Sequence, residues 1–206
     1  MYVWEIMRFL VLARFNCDPN EEVTSVIPCS SVVDNVLTPF FIVGTFLYYP
    51  EEIEPETGRL LLISVTSIMN PDNPKQGYQF SLVASTKVKG CVYALTSTTS
   101  KDEEHPRFVA AINSSIMLFQ LNADKNVSPS KLSLDKVAEW NHNYLVTSLG
   151  AVGDHVFAGD QISSVSLLKV LDEKLQTVAR DYGPRWPVSI EAIDEKNVIG
   201  ANVLAF

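Results

Sequence analysis

Val156-Phe-Ala-Gly-Asp160, followed at once by Ser164-Val-Ser-Leu-Leu-Lys169, is the stretch on which the fold turns. It is an apolar run that ends in small residues, with a second strand-like run behind it. The pair recurs upstream. Phe108-Val-Ala-Ala-Ile-Asn113 precedes Ser115-Ile-Met-Leu-Phe-Gln120, and Phe41-Ile-Val-Gly-Thr45 precedes Arg59-Leu-Leu-Leu-Ile-Ser64. A last copy, Val198-Ile-Gly-Ala-Asn202, has no follower before Phe206. Repetition every roughly 40–50 residues, with about four strands per unit, is the sequence signature of a β-propeller. A propeller closes into a ring, so the reading expects this chain to be a segment of something larger.

Working outward, the third unit predicts strands over 144–150, 154–160, 162–170 and 175–180. The second predicts 91–98, 107–113, 115–121 and 131–138, and the first 23–30, 40–47, 59–66 and 78–86. Val, Ile, Tyr, Phe and Thr with partial period-two alternation, bounded by Gly, Pro, Asn or Asp, support each of these. Phe9-Leu-Val-Leu-Ala-Arg14 matches Leu175-Gln-Thr-Val-Ala-Arg180 and reads as the last strand of a preceding unit. The fourth unit holds only 187–193 and 196–202. The expectation is an all-β chain, a partial β-propeller over 1–206. Its blades are 23–86, 91–138 and 144–180, with incomplete blades at 1–15 and 187–206. Gly44, Ala110, Ala111, Gly159 and Gly200 are expected on inner strands, where they let backbones approach near a central channel. An open sandwich uses the same short strands and turns and stands as the alternative. Pro50 to Gly58, Ser100 to Pro106 and Asn122 to Ser130 read as solvated inserts.

The chain has 206 residues, 47% hydrophobic and 19% charged, enough to bury a core. A formal net charge of −8 opposes tight contact with a phosphate backbone. Any link to nucleic acid is therefore indirect. Three cysteines (Cys17, Cys29, Cys91), odd in number and without a CxxC pair, imply a reducing compartment and neither a disulfide framework nor a zinc site. Glu5, Arg8 and Arg14 break up the apolar N-terminus, which lacks a signal-peptide pattern. No run approaches the ~20 apolar residues of a membrane span. The chain reads as soluble and intracellular, with no membrane partner, and its sequons at Asn113 and Asn126 as chance.

Hydrolytic chemistry needs a nucleophile, a base and an orienting group. His105, His142 and His155 are scattered over separate units and read as solvated or turn-capping residues, so no catalytic residue, metal or cofactor is expected. Asp160 follows a glycine and fits an Asx turn, its carboxylate accepting backbone N–H bonds. Glu51 and Glu52 lie in a proline-bounded loop with nothing to polarise them. Asn113 and Asn143 read as turn residues. Tyr93 is open between core packing and a partner-facing rim. Trp186, between Pro184 and Pro187, reads as a wedge between blades, with an interface anchor as the alternative.

Longer motifs stand between the strands. They include Tyr49-Pro-Glu-Glu52, Val88-Lys-Gly-x-Val-Tyr93, Trp140-Asn-His-Asn143, Gly159-Asp-x-x-x-Ser164 and Ala179-Arg-Asp-Tyr-x-Pro-x-Trp186. In order from about residue 8 onwards, these resemble the cleavage/polyadenylation specificity factor A-subunit family. Within it they look most like the UV-damaged-DNA-binding branch, the adaptors of cullin-4 ubiquitin ligases. The resemblance implies a protein of three propellers and a helical C-terminal domain, this chain matching part of the third propeller. It implies a non-catalytic adaptor acting in the nucleus, or nucleus and cytoplasm, in DNA repair and protein ubiquitination. Its partners would be substrate-receptor proteins and a cullin-4 ligase, met through the complete protein. Tyr93 and Ala111 match positions that resemble the receptor-facing lining. The sister branch offers the alternative, a subunit of an RNA-processing complex, and a propeller enzyme or sugar-binding propeller is the generic third reading.

Overall fold

A computed structural model describes residues 2–5, 10–70, 73–99, 105–124 and 130–202. Phe9, residues 100–104 and 125–129 of two predicted inserts, the Asn126 sequon and residues 203–206 lie outside them. Every described element is a strand. The first complete blade is β3 (Glu21–Val33), β4 (Val36–Leu47), β5 (Thr57–Asn70) and β6 (Asn73–Lys89). The second is β7 (Val92–Ser97), β8 (Arg107–Ile112), β9 (Ser115–Asp124) and β10 (Lys131–Asn141). The third is β11 (Val146–Val152), β12 (His155–Asp160), β13 (Val165–Val170) and β14 (Leu175–Arg180). Each is a four-stranded antiparallel meander in sequence order. Two-stranded sheets flank them: β1 (Tyr2–Glu5) with β2 (Leu10–Arg14), and β15 (Pro187–Ala192) with β16 (Val198–Asn202). The sheets form an unclosed partial β-propeller.

The core lies between blades rather than within them. Along β8 the side chains alternate, and both faces are buried. Phe108, Ala110 and Ile112 join Phe40, Ile42 and Leu60 of the first blade. Val109 and Ala111 join Val146, Val156 and Leu168 of the third. A smaller cluster, Val43, Leu61 and Ile63 with Phe15, seals the far side of the first blade. Period two thus turns each middle strand into a two-sided adhesive. It also explains why these strands read as near-continuous apolar runs.

One placement differs from the sequence expectation. First strands pack on the neighbour's first strand, β3 on β7, β7 on β11 and β11 on β15, which makes them innermost. The small residues lie one strand further out. A Cβ at Gly44 would stand 2.5 Å from Val92 Cγ1, and one at Gly159 would overlap Ser148 Oγ. Close approach is the right reason for them, but what approaches is the neighbouring strand and blade, not a channel lining. Gly44→Ala pushes a methyl onto a β-branched side chain that cannot swing away. It is expected to cost about 1–3 kcal/mol, read as a lower urea midpoint at unchanged slope.

Bulges repeat with the blades. In each first strand the register slips close to the start, skipping Thr24, Tyr93, Thr147 and Val188. In each fourth strand it slips at a valine before alanine: Val83, Val137 and Val178. A bulge bends a strand and raises its twist, which helps adjacent sheets fan out around an axis. The first blade is longer than the spacing predicts, its hairpins running on through Val33 and Val36, where Asp34 and Asn35 take φ of 50° and 63° as a two-residue turn.

Candidate functional site

Strand direction gives the blades two unlike ends. At one, here the upper end, first strands begin and second strands finish. It carries the connections 48–56, 113–114 and 161–164 within blades, and 90–91, 142–145 and 181–186 between them. Among the described residues, the aromatic side chains exposed to solvent are Tyr48, Tyr49, Tyr144, Tyr182 and Trp186, and all lie in these connections. Ile53 and Ile162 are exposed with them. The opposite end shows exposed Val36, Leu37 and Leu171 and, among the described residues, no exposed aromatic.

This upper end is firmly built. Connections between blades are tied back to connections within them: Val146 N–H donates to Asn113 O at 2.9 Å, Gln161 N–H to Leu145 O at 2.9 Å, and Arg185 N–H to Ser163 O at 2.7 Å. Asp160 is the hub of the third blade. Its carboxylate accepts the N–H groups of Ile162 (2.9 Å) and Ser163, and the Ser163 hydroxyl at 2.7 Å, and it bonds His142 Nε2 at 3.0 Å. The Asx turn expected there is present. Burial pushes the Asp160 carboxyl up, but the Ser163 hydroxyl, His142 and the backbone donors outweigh it and hold the group below its ordinary value.

His142 differs from the solvated or capping residue that the sequence suggests. Its side chain is only 7% exposed, stacked 5.2 Å from Trp140 and edge-on to Tyr144 at 5.8 Å. Trp140 in turn donates Nε1–H to Thr177 Oγ1 at 2.9 Å and lies under the Arg180 guanidinium at 5.0 Å. The motif Trp-Asn-His-Asn-Tyr is therefore a clasp from the second blade onto the third. His142→Ala removes a buried ring and one partner of a buried carboxylate. It is expected to destabilise by about 2–3 kcal/mol, a Tm fall of roughly 4–12 °C at this chain length by differential scanning calorimetry.

Trp186 faces solvent (42% exposed), which displaces the wedge reading. Its φ of 52° is left-handed, uncommon for a bulky residue and more so before a proline. The turn that holds it is tied down: Asp181 accepts Ser164 Oγ at 2.8 Å, Gly183 N–H at 3.0 Å and Arg185 Nε at 2.8 Å. Strain of about 1–3 kcal/mol at such a position persists only where the surroundings impose it. Here the Asp181 bonds hold the turn, and the indole faces solvent.

Tyr93 is the bulged residue of β7 and is half-buried. Burial pushes its phenol above the ordinary value, and Cys91 and Glu54 act in the same direction. Beside it the loop Glu51–Glu56 and Asn113 enclose a recess of about 470 Å³. Ala111 is fully buried in the core between the second and third blades, so it presents no surface to a partner, unlike the receptor-facing lining that the resemblance implies. A reading confined to strands passes over the loop aromatics. The signal for them is aromatic residues placed between strand runs, where core packing cannot account for them. Among the described residues no three His, Cys, Asp or Glu side chains come together as a metal site, and no helix is long and apolar enough to cross a membrane.

The fold and this end define a propeller segment with an aromatic connection surface. Residues 5–203 match the family model described as the CPSF A subunit region, and the chain belongs to that family. It is 30% identical over 197 residues to DNA damage-binding protein 1 of Oryza sativa subsp. japonica, covering 94% of this chain and 16% of that protein. Against DNA damage-binding protein 1 of Caenorhabditis elegans the identity is 30% over 194 residues, covering 93% and 15%. Against DNA damage-binding protein 1a of Arabidopsis thaliana it is 27% over 195 residues, covering 94% and 16%. The chain thus spans about a sixth of the length of these relatives.

Proposed function

We propose that this chain is a non-catalytic adaptor segment whose upper end receives substrate receptors of a cullin-4 ubiquitin ligase, in the nucleus, in the service of DNA-damage repair. The observation that carries this is the gathering of Tyr48, Tyr49, Tyr144, Tyr182 and Trp186, all exposed, at one end of the blades. Aromatic anchors on a rigid frame are what protein interfaces use. The relatives' names, DNA damage-binding proteins, support the pathway. The acidic loop next to Tyr93 favours a receptor segment that is apolar with a basic flank.

Two variants test it. Tyr93→Ala, and separately Trp186→Gly, are expected to reduce receptor capture by roughly tenfold or more, a hot-spot loss of about 1.4 kcal/mol or greater. Trp186→Gly should leave thermal stability equal or slightly higher, because glycine takes a φ of 52° freely. Pull-down from nuclear extract with the full-length protein reads both. Retention of every receptor by both variants would discard the assignment. Recovery of pre-mRNA factors in place of cullin would move it to the RNA-processing branch.

A further inference from the structure

The first blade runs past its neighbours at the lower end, opposite the aromatic one. β3 and β4 have 13 and 12 residues, where β7, β8 and β12 have 6 and β11 has 7. Leu95 N–H donates to Ser25 Oγ at 3.2 Å, and β7 ends two residues later at Ser97. The stretch from Pro28 to Val33 of β3 therefore projects beyond β7 by about 20 Å. Its tip is tied sideways to the second blade, where Ser130 Oγ donates to Asp34 Oδ1 at 2.8 Å.

The two-residue turn at Asp34 and Asn35 makes Val33 and Val36 a hydrogen-bonded pair. Bonds to β4 then fall on Val33, Ser31, Cys29 and Ile27. The backbone groups of Val32, Ser30 and Pro28 point to the other edge. Among the described residues β3 pairs with β4 alone, so that edge is open, and Pro28 and Ser30 are exposed on it. The same alternation places both prolines. Pro28 has its missing N–H on the open edge. Pro39 has its own on the side of β5, and pairing of β4 with β5 stops at Phe40 with Ser64, one residue short of it.

Beside the open edge lies an apolar slot of about 470 Å³. Ile27, Cys29 and Phe40 form its wall on the first blade, and Ser97, Pro106 and Phe108 its wall on the second. Burial pushes the Cys29 thiol up to about 11, so it stays neutral. Among the described residues its one charged neighbour is Arg107. Arg107 shares the β8 face of Val109 and Ala111, turned to the third blade, and gives its Nε–H to Gln120 Oε1 at 3.0 Å. The slot is therefore uncharged, with an exposed hydroxyl, Ser97, at its mouth.

We propose that this corner receives an extended, uncharged segment of a partner protein, which adds as a strand to the open edge of β3 and seats one bulky apolar side chain in the slot. Its backbone meets the N–H and C=O groups of Ser30 and Val32 and the C=O of Pro28. Such a contact draws affinity from the main chain and specificity from the alternate side chains. The lack of charge in the slot selects the occupant, because a Lys, Arg, Asp or Glu seated there loses its water and gains no partner. A second copy of this chain using the same edge brings a proline gap on both strands, which favours a foreign segment. The site is separate from the upper end and does not depend on receptor capture there.

The probe is the peptide Thr-Val-Thr-Phe-Thr-Val, acetylated and amidated, titrated by calorimetry onto the full-length protein. Saturable binding is expected. The Ser30 and Val32 amides should exchange freely in the protein alone and become protected in the complex, while those of Ser31 and Val33 are protected in both. Ser30→Pro removes an edge donor and leaves the β4 ladder whole, and Ser97→Asp puts a charge at the exposed mouth. Each should weaken binding roughly tenfold or more. N-methylation of one alternate set of the probe's amides should do the same, and of the other set should not. Leu171→Asp, at an exposed lower turn of the third blade, should leave binding unchanged. Circular dichroism checks that each variant keeps its strands. Absence of saturable binding overturns the proposal. So does binding that survives Ser30→Pro and both N-methylations, which would mean a side-chain slot without strand addition. So do Ser30 and Val32 amides already protected in the protein alone, whether by a second copy or by the protein's own chain.

Discussion

Arg59→Ala is expected to destabilise the chain by about 3–5 kcal/mol, because it strands a buried carboxylate. Glu21 opens β3, and its side chain has no exposure, whereas Arg59 is 17% exposed on β5 and Asp18 is largely in solvent. The guanidinium grips Glu21 by two bonds, Nε to Oε1 at 2.8 Å and its Nη2 to Oε2, and reaches Asp18 at 2.6 Å. Thr45 Oγ1 on β4 donates to Glu21 Oε1 at 2.7 Å, and Asp18 N–H to Oε2 at 3.1 Å. Three strands and the preceding loop meet on one carboxylate. Paired, the group is tolerated in the interior. Unpaired, it must either draw in water or take up a proton, and both loosen the upper end of the first blade. Urea unfolding of Arg59→Ala against the parent chain measures the loss. A fall below about 1 kcal/mol would show the pair to be a solvated one.

The same cluster gives a pH dependence with a definite sign. Burial pushes the Glu21 carboxyl up, yet Arg59, Thr45 and the Asp18 amide more than offset this and hold it below its ordinary value. A depressed folded value means that the unfolded chain binds the proton first. The contribution is therefore complete above the ordinary carboxylate range, about pH 4, and is lost as pH falls through the folded value. Asp160 is depressed for parallel reasons and adds in the same direction. Thermal midpoints scanned from neutral pH downward should fall on the acid side. The slope should be shallower in Glu21→Gln, with its lower starting midpoint. An unchanged slope would remove Glu21 from the account.

These polar hubs show where sequence reading stops. The strands themselves are legible, since an apolar run such as Phe108-Val-Ala-Ala-Ile112 has only one way to bury alternate residues on two sides. The small residues announce close approach at Gly44 and Gly159 but not which strand approaches, because that depends on which edge of the sheet turns inward. The bulges are legible in principle, as Leu82-Val-Ala84, Lys136-Val-Ala138 and Thr177-Val-Ala179 repeat in every fourth strand. The hubs are not. Glu21 meets Arg59 across 38 residues, and His142 meets Asp160 across 18 and a blade boundary. Nothing local in sequence sets such a pairing; strand register and blade packing do. The aromatic upper end stands between these cases. Its residues are visible in the loops, yet only the shared direction of the first strands shows that the loops gather on one side.

Phe108→Ala is expected to cost about 3–5 kcal/mol, the range for removing a buried phenylalanine. Its ring is 1% exposed, on the strand that serves two blade interfaces, and stacks on Phe119 with centroids 5.4 Å apart at 13°. Loss of the ring leaves a void between blades that neither sheet can close alone. β8 is pinned by β7 on one side and β9 on the other, and its opposite face, Val109 and Ala111, packs on Val146, Val156 and Leu168 of the third blade. Relaxation toward the void would therefore drag a second interface out of register, so the cost should lie in the upper part of that range. Phe108→Leu, which keeps most of the volume, should cost about 1–1.5 kcal/mol. Calorimetric midpoints of the two variants give the comparison directly. If Phe108→Ala and Phe108→Leu fall by the same amount, the stacking on Phe119 within the second blade, and not the packed volume between blades, carries the loss.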